Sequence, residues 1–159
     1  MSFKATKRLA VAALCLAAVA LPAKADNLQF NFTTVEQIWL GNVAQNIRLT
    51  PGGAFLVGFG NPFGGPVSVT FTAECQLVAG TTSWLHVSVL IDNLVTPPSG
   101  SDAAFCSGRG AGVQGGWARH SITVTRLLGA GVHNVRVVAA VSGVHTGARL
   151  DDTSIMVER

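Results

Sequence analysis

Charged residues are scarce in this sequence, and tyrosine is absent from it. Only 12% of the 159 residues are charged, whereas 48% are hydrophobic. A disordered chain has the opposite balance, so that class is excluded. The 18 glycines follow no three-residue period, which excludes a collagen-like chain. The length suits one domain better than two.

The first residues are organised as an export signal. A basic start precedes the apolar stretch Leu9–Leu21, and Ala23-Lys24-Ala25 has the small-x-small form that signal peptidase cuts. The apolar stretch is shorter than the roughly 20 residues of a membrane-spanning helix. We therefore predict that residues 1–25 are removed as a signal peptide and that residues 26–159 form a single β-sandwich domain. We expect this domain to be exported to the periplasm or the extracellular space.

The charge balance changes once this segment is set aside. Four of the 11 basic residues lie in it, and the other seven are arginines that face eight acidic residues, a formal charge of −1. No basic cluster is left to bind nucleic acid or anionic lipid. No later stretch is long and apolar enough to span a membrane. We predict no nucleic-acid partner and a mature form that does not cross a membrane.

Two cysteines, Cys75 and Cys106, follow the signal segment. An exported chain meets an oxidising compartment, so we expect them to form one disulfide. In the chain-entropy description such a link contributes roughly 3–4 kcal/mol. A metal site or a catalytic thiol is the rival interpretation. Two isolated cysteines without C-x-x-C spacing do not favour it.

Most of the remaining sequence has the two-residue periodicity of β-strands. From Val67 to Leu77, apolar residues alternate with polar ones, as in a half-buried antiparallel strand. About eight such segments and no long helix predict an all-β antiparallel fold, a sandwich or a small barrel. The other segments are Leu28–Val35, Val43–Thr50 and Ala54–Gly60 (a hairpin around Pro51-Gly52-Gly53), Ser83–Ile91, Trp117–Leu128, Val132–Val141 and Ala148–Glu158.

Motifs that carry catalytic chemistry are few. Residues 110–115 match the letters G-x-G-x-x-G, but no helix pattern follows them, so a loop is the better interpretation. The four histidines show no short metal-ligand spacing. The eight acidic residues offer no recognisable catalytic pair. The sequence favours a protein without catalysis, and a hydrolase with an unfamiliar site stays as an alternative.

Tryptophans and one acidic pair are the candidate ligand contacts. An exposed tryptophan on a sandwich face can stack on a sugar ring, whereas a buried one fills the core. Trp84 lies opposite the continuous apolar face of its strand, and Trp117 begins another strand. Asp151 and Asp152 are adjacent, so both can line one side only at a bulge, where they could hold calcium. A solvated turn is the alternative for this pair.

The C-terminal segment resembles the closing strands of carbohydrate-binding modules of the galactose-binding-like type. Leu128 to Val137 fits the pattern L-x-x-G-x-H-x-V-x-V, and Leu150 to Val157 fits L-D-x-x-x-I-x-V. The resemblance covers about the last 30 residues and shares its pattern with other sandwiches. It implies a β-sandwich of jelly-roll type and ligand binding. It places no binding residue.

Together these observations predict a small exported β-sandwich that binds a ligand, with carbohydrate as the expected class. The residues to test are Trp84, Trp117 and Asp152, and Asp151 with Asp152 is the candidate calcium pair; no other cofactor is expected. A structural or self-assembling envelope or extracellular protein, forming a homo-oligomer through an apolar face, is the second hypothesis. The hydrolase is the third.

Overall fold

The computed structural model describes residues 26–40, 42–77, 84–99, 104–107, 116–142 and 147–159. The predicted signal peptide and the glycine-rich segment 110–115 lie outside these residues. Every regular element in the described ranges is a β-strand. The strands are β1 (Asn27–Thr33), β2 (Gln37–Leu40), β3 (Gln45–Asn46), β4 (Val57–Asn61), β5 (Gly65–Leu77), β6 (Trp84–Ile91), β7 (Leu94–Thr96), β8 (Ala104–Ser107), β9 (Ala118–Leu128), β10 (Gly131–Ser142) and β11 (Gly147–Glu158).

The strands form two antiparallel sheets. The first sheet has the order β1-β11-β5-β9, with β2 following β1 along the same edge of β11. The second has the order β3-β10-β6-β7, with β4 beside β3 on β10 and β8 beside β7 on β6. Counting each split edge strand once leaves four positions in each sheet. This is the strand order of a jelly roll, and the predicted fold class is confirmed.

The core lies between the two sheets and follows the sequence periodicity. On β5, the apolar residues from Val67 to Leu77 are at most 4% exposed, while the residues between them face outward. Each fully buried Val, Leu, Ile or Phe side chain contributes about 1.5–3 kcal/mol. The facing strands β6 and β10 contribute Leu85, Val87, Val89, Ile91, Val135, Val137, Ala139 and Val141.

A disulfide joins the two sheets through this core. Cys75 lies on β5 of the first sheet and Cys106 on β8 of the second, and both are buried. The bond therefore crosses the sandwich, and the pairing predicted from the sequence is confirmed.

The predicted N-terminal hairpin is present only at its turn. The Gly53 amide donates to the Thr50 carbonyl (2.9 Å), and Gly53 has the positive φ of 81° that favours glycine. The flanking strands are shorter than predicted, because β3 covers only Gln45–Asn46 and β4 begins at Val57. The alternation of buried and exposed residues continues beyond β3, since Ile47 and Leu49 are buried. The N–H of Arg48 between them, however, donates to the side chain of Gln37 in the other sheet and not to a neighbouring strand.

Candidate functional site

The two tryptophans predicted to bind ligand are both partly exposed. Trp84 is 36% exposed and begins β6, where it lies in the second sheet with its ring 5.7 Å from the ring of His86. Trp117 is 42% exposed and directly precedes β9 of the first sheet. Trp84 is thus a strand residue of the second sheet, whereas Trp117 lies just before a strand of the first sheet, and their roles in binding stay predictions.

Asp152 lies on β11 of the first sheet. Its carboxylate is 3.9 Å from the guanidinium of Arg119, two residues after Trp117, and this guanidinium also contacts Glu74 at 3.3 Å. Arg119, Glu74 and Asp152 thus form one small charged cluster on the outer side of the first sheet, and Trp117 is near it only in sequence. Trp84 is not part of it.

The acidic pair lies at a bulge. The register of β11 shifts between Asp151 and Ser154, Asp152 has a φ of 45°, and its amide donates to the Asp151 carboxylate (2.8 Å). The bulge removes the strict alternation that would separate the two carboxylates. Within the described ranges, however, no three His, Cys, Asp or Glu side chains are grouped to hold a metal ion. Calcium binding by this pair stays a prediction.

A concave surface lies elsewhere in the described part of the chain, where the edges of the two sheets meet. It is a cleft of about 470 Å³ between β2 of the first sheet and β3 of the second. We call it the edge cleft. Its lining consists of Glu36, Gln37, Ile38, Gln45, Asn46, Arg48 and Phe55.

Hydrogen bonds from the first sheet fix the main chain of Arg48 at the base of this cleft. The side-chain oxygen of Gln37 accepts a hydrogen bond from the main-chain N–H of Arg48 (2.6 Å). The side-chain nitrogen of Gln37 donates one to the main-chain carbonyl of Arg48 (3.1 Å). The Thr153 hydroxyl donates to the same carbonyl (3.3 Å). Gln37 is 9% exposed and Thr153 is fully buried, so water does not compete strongly for these bonds. A side-chain amide here replaces the main-chain partner of a regular strand; we call it the Gln37 bridge.

The side chain of Arg48 is presented outward by its neighbours. Ile47 and Leu49 are buried in the core, and successive side chains of an extended chain alternate in direction. Among the described residues, no carboxylate pairs with the Arg48 guanidinium. The carboxylate in the cleft, Glu36, is 3.2 Å from Arg149. The cleft therefore carries one uncompensated positive charge.

Apolar and amide groups complete the edge cleft. Phe55 is 45% exposed and Ile38 is 52% exposed, so both offer apolar surface to a ligand. Gln45 and Asn46 are exposed and carry both donors and acceptors. An aromatic ring beside amides and a guanidinium can stack on a pyranose ring while hydrogen-bonding its hydroxyl groups.

Sequence reasoning missed this cleft. The proline-glycine turn before Phe55 indicated where the chain reverses, but nothing in the pattern linked Gln37 to Arg48. A useful signal was the polarity of Arg48 between Ile47 and Leu49, which showed that it faces outward. Its partner on the other sheet could be identified only from the tertiary structure.

A second side-chain arrangement lies at the turn between β6 and β7. The β6–β7 turn has positive φ at Asp92 and Asn93, as in a two-residue hairpin. The Asp92 carboxylate accepts from the Asn134 amide (3.0 Å) and lies 2.7 Å from His133 Nδ1. His133 Nε2 is 3.1 Å from the Gly129 carbonyl. Both ring nitrogens thus face acceptors, which favours the doubly protonated ring. We call this the Asp92–His133 corner.

The corner shifts the titration of both groups. The hydrogen bond to Asp92 raises the pKa of His133 more than burial lowers it. Burial alone would raise the pKa of Asp92, but the hydrogen bonds from His133 and Asn134 outweigh it and lower that pKa. The arrangement is a charged pair with no unused ligand-binding group on the ring, so it holds the hairpin end together rather than forming a site.

In the part of the chain that the structure describes, no helix is long and apolar enough to cross a membrane. No protein-family model matches the sequence, and no curated protein is significantly similar to it.

Several solved structures are similar to this chain in fold, at low sequence identity. A mutant VP2 protein of infectious bursal disease virus, in derived T=1 particles, aligns with a TM-score of 0.50 at 10% identity. The alignment covers 94% of this chain but only 36% of VP2, so the chain spans about a third of that protein. The sugar-binding C-terminal domain of EclA aligns at 0.41 and 12% identity, over 77% of this chain and 78% of that domain. A family 35 carbohydrate-binding module from Clostridium thermocellum aligns at 0.34 and 13% identity, over 84% and 98% of the two chains.

Proposed function

We propose that this protein is an exported, non-catalytic module that binds carbohydrate in the edge cleft. One observation carries the proposal: an arginine whose main chain is held by hydrogen bonds, exposed amides and an exposed phenylalanine line one concave surface of about 470 Å³. That volume falls in the range of small-ligand sites, which are roughly 300–1,000 Å³. The Cys75–Cys106 disulfide supports export, because such bonds persist in oxidising compartments.

The chemistry of the cleft suits a sugar better than an apolar ligand. A sugar ring has a C–H face for Phe55 and a rim of hydroxyl groups for Gln45 and Asn46. The Gln37 bridge fixes the main chain beneath the site, which lowers the entropy lost on binding. Trp84, Trp117 and Asp152 are alternative contacts for the same class of ligand, on surfaces outside this cleft.

Aromatic substitutions test the proposal and its location together. We expect Phe55→Ala to weaken binding to an oligosaccharide identified on a glycan array by about tenfold, since stacking contributes roughly 1–1.5 kcal/mol. Phe63→Ala is the matched control, because Phe63 is 80% exposed and lies outside the cleft lining. The protein recovered after export is titrated by isothermal calorimetry with and without calcium.

Other outcomes of this experiment reject parts of the proposal. If Trp84→Ala or Trp117→Ala abolishes binding while Phe55→Ala does not, the site is on a sheet face and the edge cleft is wrong. If new reducing ends accumulate from the oligosaccharide, the protein is a hydrolase. If no oligosaccharide binds, the carbohydrate function is wrong.

Self-association is a second candidate function, favoured by the outer edge of the first sheet. Phe30 and Phe32 are 53% and 54% exposed on β1, and Ile38 is 52% exposed on β2 along the same edge of β11. Exposed apolar groups in a row commonly mark an interface. Light scattering decides between a monomer and a closed oligomer, and Phe32→Ser should dissociate an oligomer built through this edge.

A further inference from the structure

We infer that the edge cleft selects acidic sugars, with the carboxylate of a uronic acid bound by Arg48. This inference rests on the proposed carbohydrate function and adds the class of sugar. It comes from the charges of the cleft and from the way the main chain at Arg48 is held.

Glu36 and Arg48 are the charged side chains among the described lining residues of the cleft. Glu36 is paired with Arg149 at 3.2 Å, so its negative charge is compensated. Arg48 has no acidic partner among the described residues. A neutral sugar would leave this guanidinium without an anion, whereas a carboxylate can accept two parallel N–H bonds from it.

The main chain of Arg48 is already held in place before a ligand binds. Three hydrogen bonds from Gln37 and Thr153 hold the main chain of Arg48, and buried neighbours on both sides fix the direction of its side chain. An ordinary surface arginine has no such support. The remaining freedom lies in the side-chain torsions, which a two-point contact with a carboxylate would restrict.

The aromatic and amide side chains of the cleft can contact the rest of a sugar ring. Phe55 and the amides of Gln45 and Asn46 line the same cleft as Arg48. A ring on Phe55 would leave its C6 carboxylate free for the guanidinium and its ring hydroxyls free for the amides. A small free carboxylate, such as acetate, offers only the first of these contacts and should bind far more weakly.

Paired ligands that differ only in the carboxylate test the inference. Oligogalacturonate, oligomannuronate and oligoglucuronate are each compared with their carboxyl-reduced forms, in which C6 is a neutral alcohol. We expect at least one uronate to bind the exported protein about 10–100-fold more tightly than its reduced form, as a charge-assisted pair provides. The preference should diminish at high salt, because the cleft is open to solvent.

Arginine variants assign the effect to the residue. Arg48→Gln should remove the preference for the uronate while keeping residual binding to the reduced sugar. Arg48→Lys should restore part of it, since the charge remains but the two-point geometry is lost. Arg119→Gln is the control, because Arg119 is exposed on the outer side of the first sheet and outside the cleft lining. Circular dichroism and urea unfolding check that each variant is folded.

The outcomes separate this inference from the proposed function. If a uronate and its reduced form bind equally and Arg48→Gln changes neither, the acidic-sugar inference is wrong and the carbohydrate function stands. If neutral oligosaccharides bind and every uronate fails, the result is the same. If no sugar of either kind binds, the proposed function is itself wrong. If Arg119→Gln removes the uronate preference, the anion site lies at the outer cluster and the inference for Arg48 is overturned.

Discussion

The Gln37 bridge and the Asp92–His133 corner use the same device with opposite charge outcomes. At each, a side chain makes hydrogen bonds to the main chain that a neighbouring strand would otherwise make. Gln37 bonds to the main chain of Arg48, and Asp92 bonds to the main-chain N–H of Asn134. At the corner, the charged side chains pair with each other. At the bridge, the supporting side chain is neutral, and the arginine that it supports has no acidic partner among the described residues. A scaffold that satisfies the main chain with a neutral group keeps a charge available for a ligand.

Replacing Gln37 should have the largest effect on stability. Gln37→Leu leaves the part-buried main-chain N–H of Arg48 without its acceptor, and such a loss costs about 1–3 kcal/mol. Urea unfolding measures it through the transition midpoint. Gln45→Leu is the control, because Gln45 is exposed in the same cleft and should change stability by less than about 0.5 kcal/mol. Equal effects of the two variants would show that the bridge is not structural.

The corner should give a smaller effect that depends on pH. The raised pKa of His133 contributes stability that is complete below about pH 6.5, its unfolded value, and is lost as pH rises through the folded value. The lowered pKa of Asp92 contributes stability that is complete above about pH 4 and is lost as pH falls through its folded value. The pair should therefore stabilise most between about pH 4 and 6.5.

Asp92→Asn tests this dependence. The substitution removes the charged partner of His133, so the decline of stability above about pH 6.5 should flatten. Thermal unfolding measured across this range supplies the comparison, with Asp151→Asn as a control on the other sheet. A decline that persists unchanged in Asp92→Asn would assign the titration to a different group.

The smallest stability effect should come from Arg48 itself. Arg48→Gln removes an exposed guanidinium that has no acidic partner among the described residues, and it leaves the Gln37 bridge in place. The free energy of unfolding should therefore change by less than about 0.5 kcal/mol. The same variant is expected to alter ligand selection. A large loss of stability would mean that the arginine serves the fold, which would abolish the contrast with the corner.

The sheet interior was predictable because each strand has its own signal. The alternation from Val67 to Leu77 fixes which side of β5 is buried, and the two cysteines after the signal segment allow one pairing. The C-terminal pattern around Gly131 and Leu150 implied the closing strands and the jelly-roll type. These features depend on neighbouring residues or on the one cysteine pairing that is possible, so they can be predicted from a single sequence.

The edge cleft was not predictable for the converse reason. Gln37 and Arg48 are separated by a stretch with weak periodicity, and Thr153 comes from the far end of the chain. Their meeting depends on how the edges of two sheets approach each other. The two tryptophans were candidates because of their residue type alone, and in the structure Trp84 begins β6 of the second sheet whereas Trp117 directly precedes β9 of the first.

By itself the sequence determined the all-β class, the buried side of the central strands and the cysteine pairing. Each follows from a period of two, from turn residues or from the number of available thiols, which are properties of neighbouring residues. Only the tertiary structure decided that a neutral amide from one sheet supports Arg48 on the other and that Glu36 is already paired. Such relations are long-range, because they arise where parts of the chain that are distant in sequence pack together.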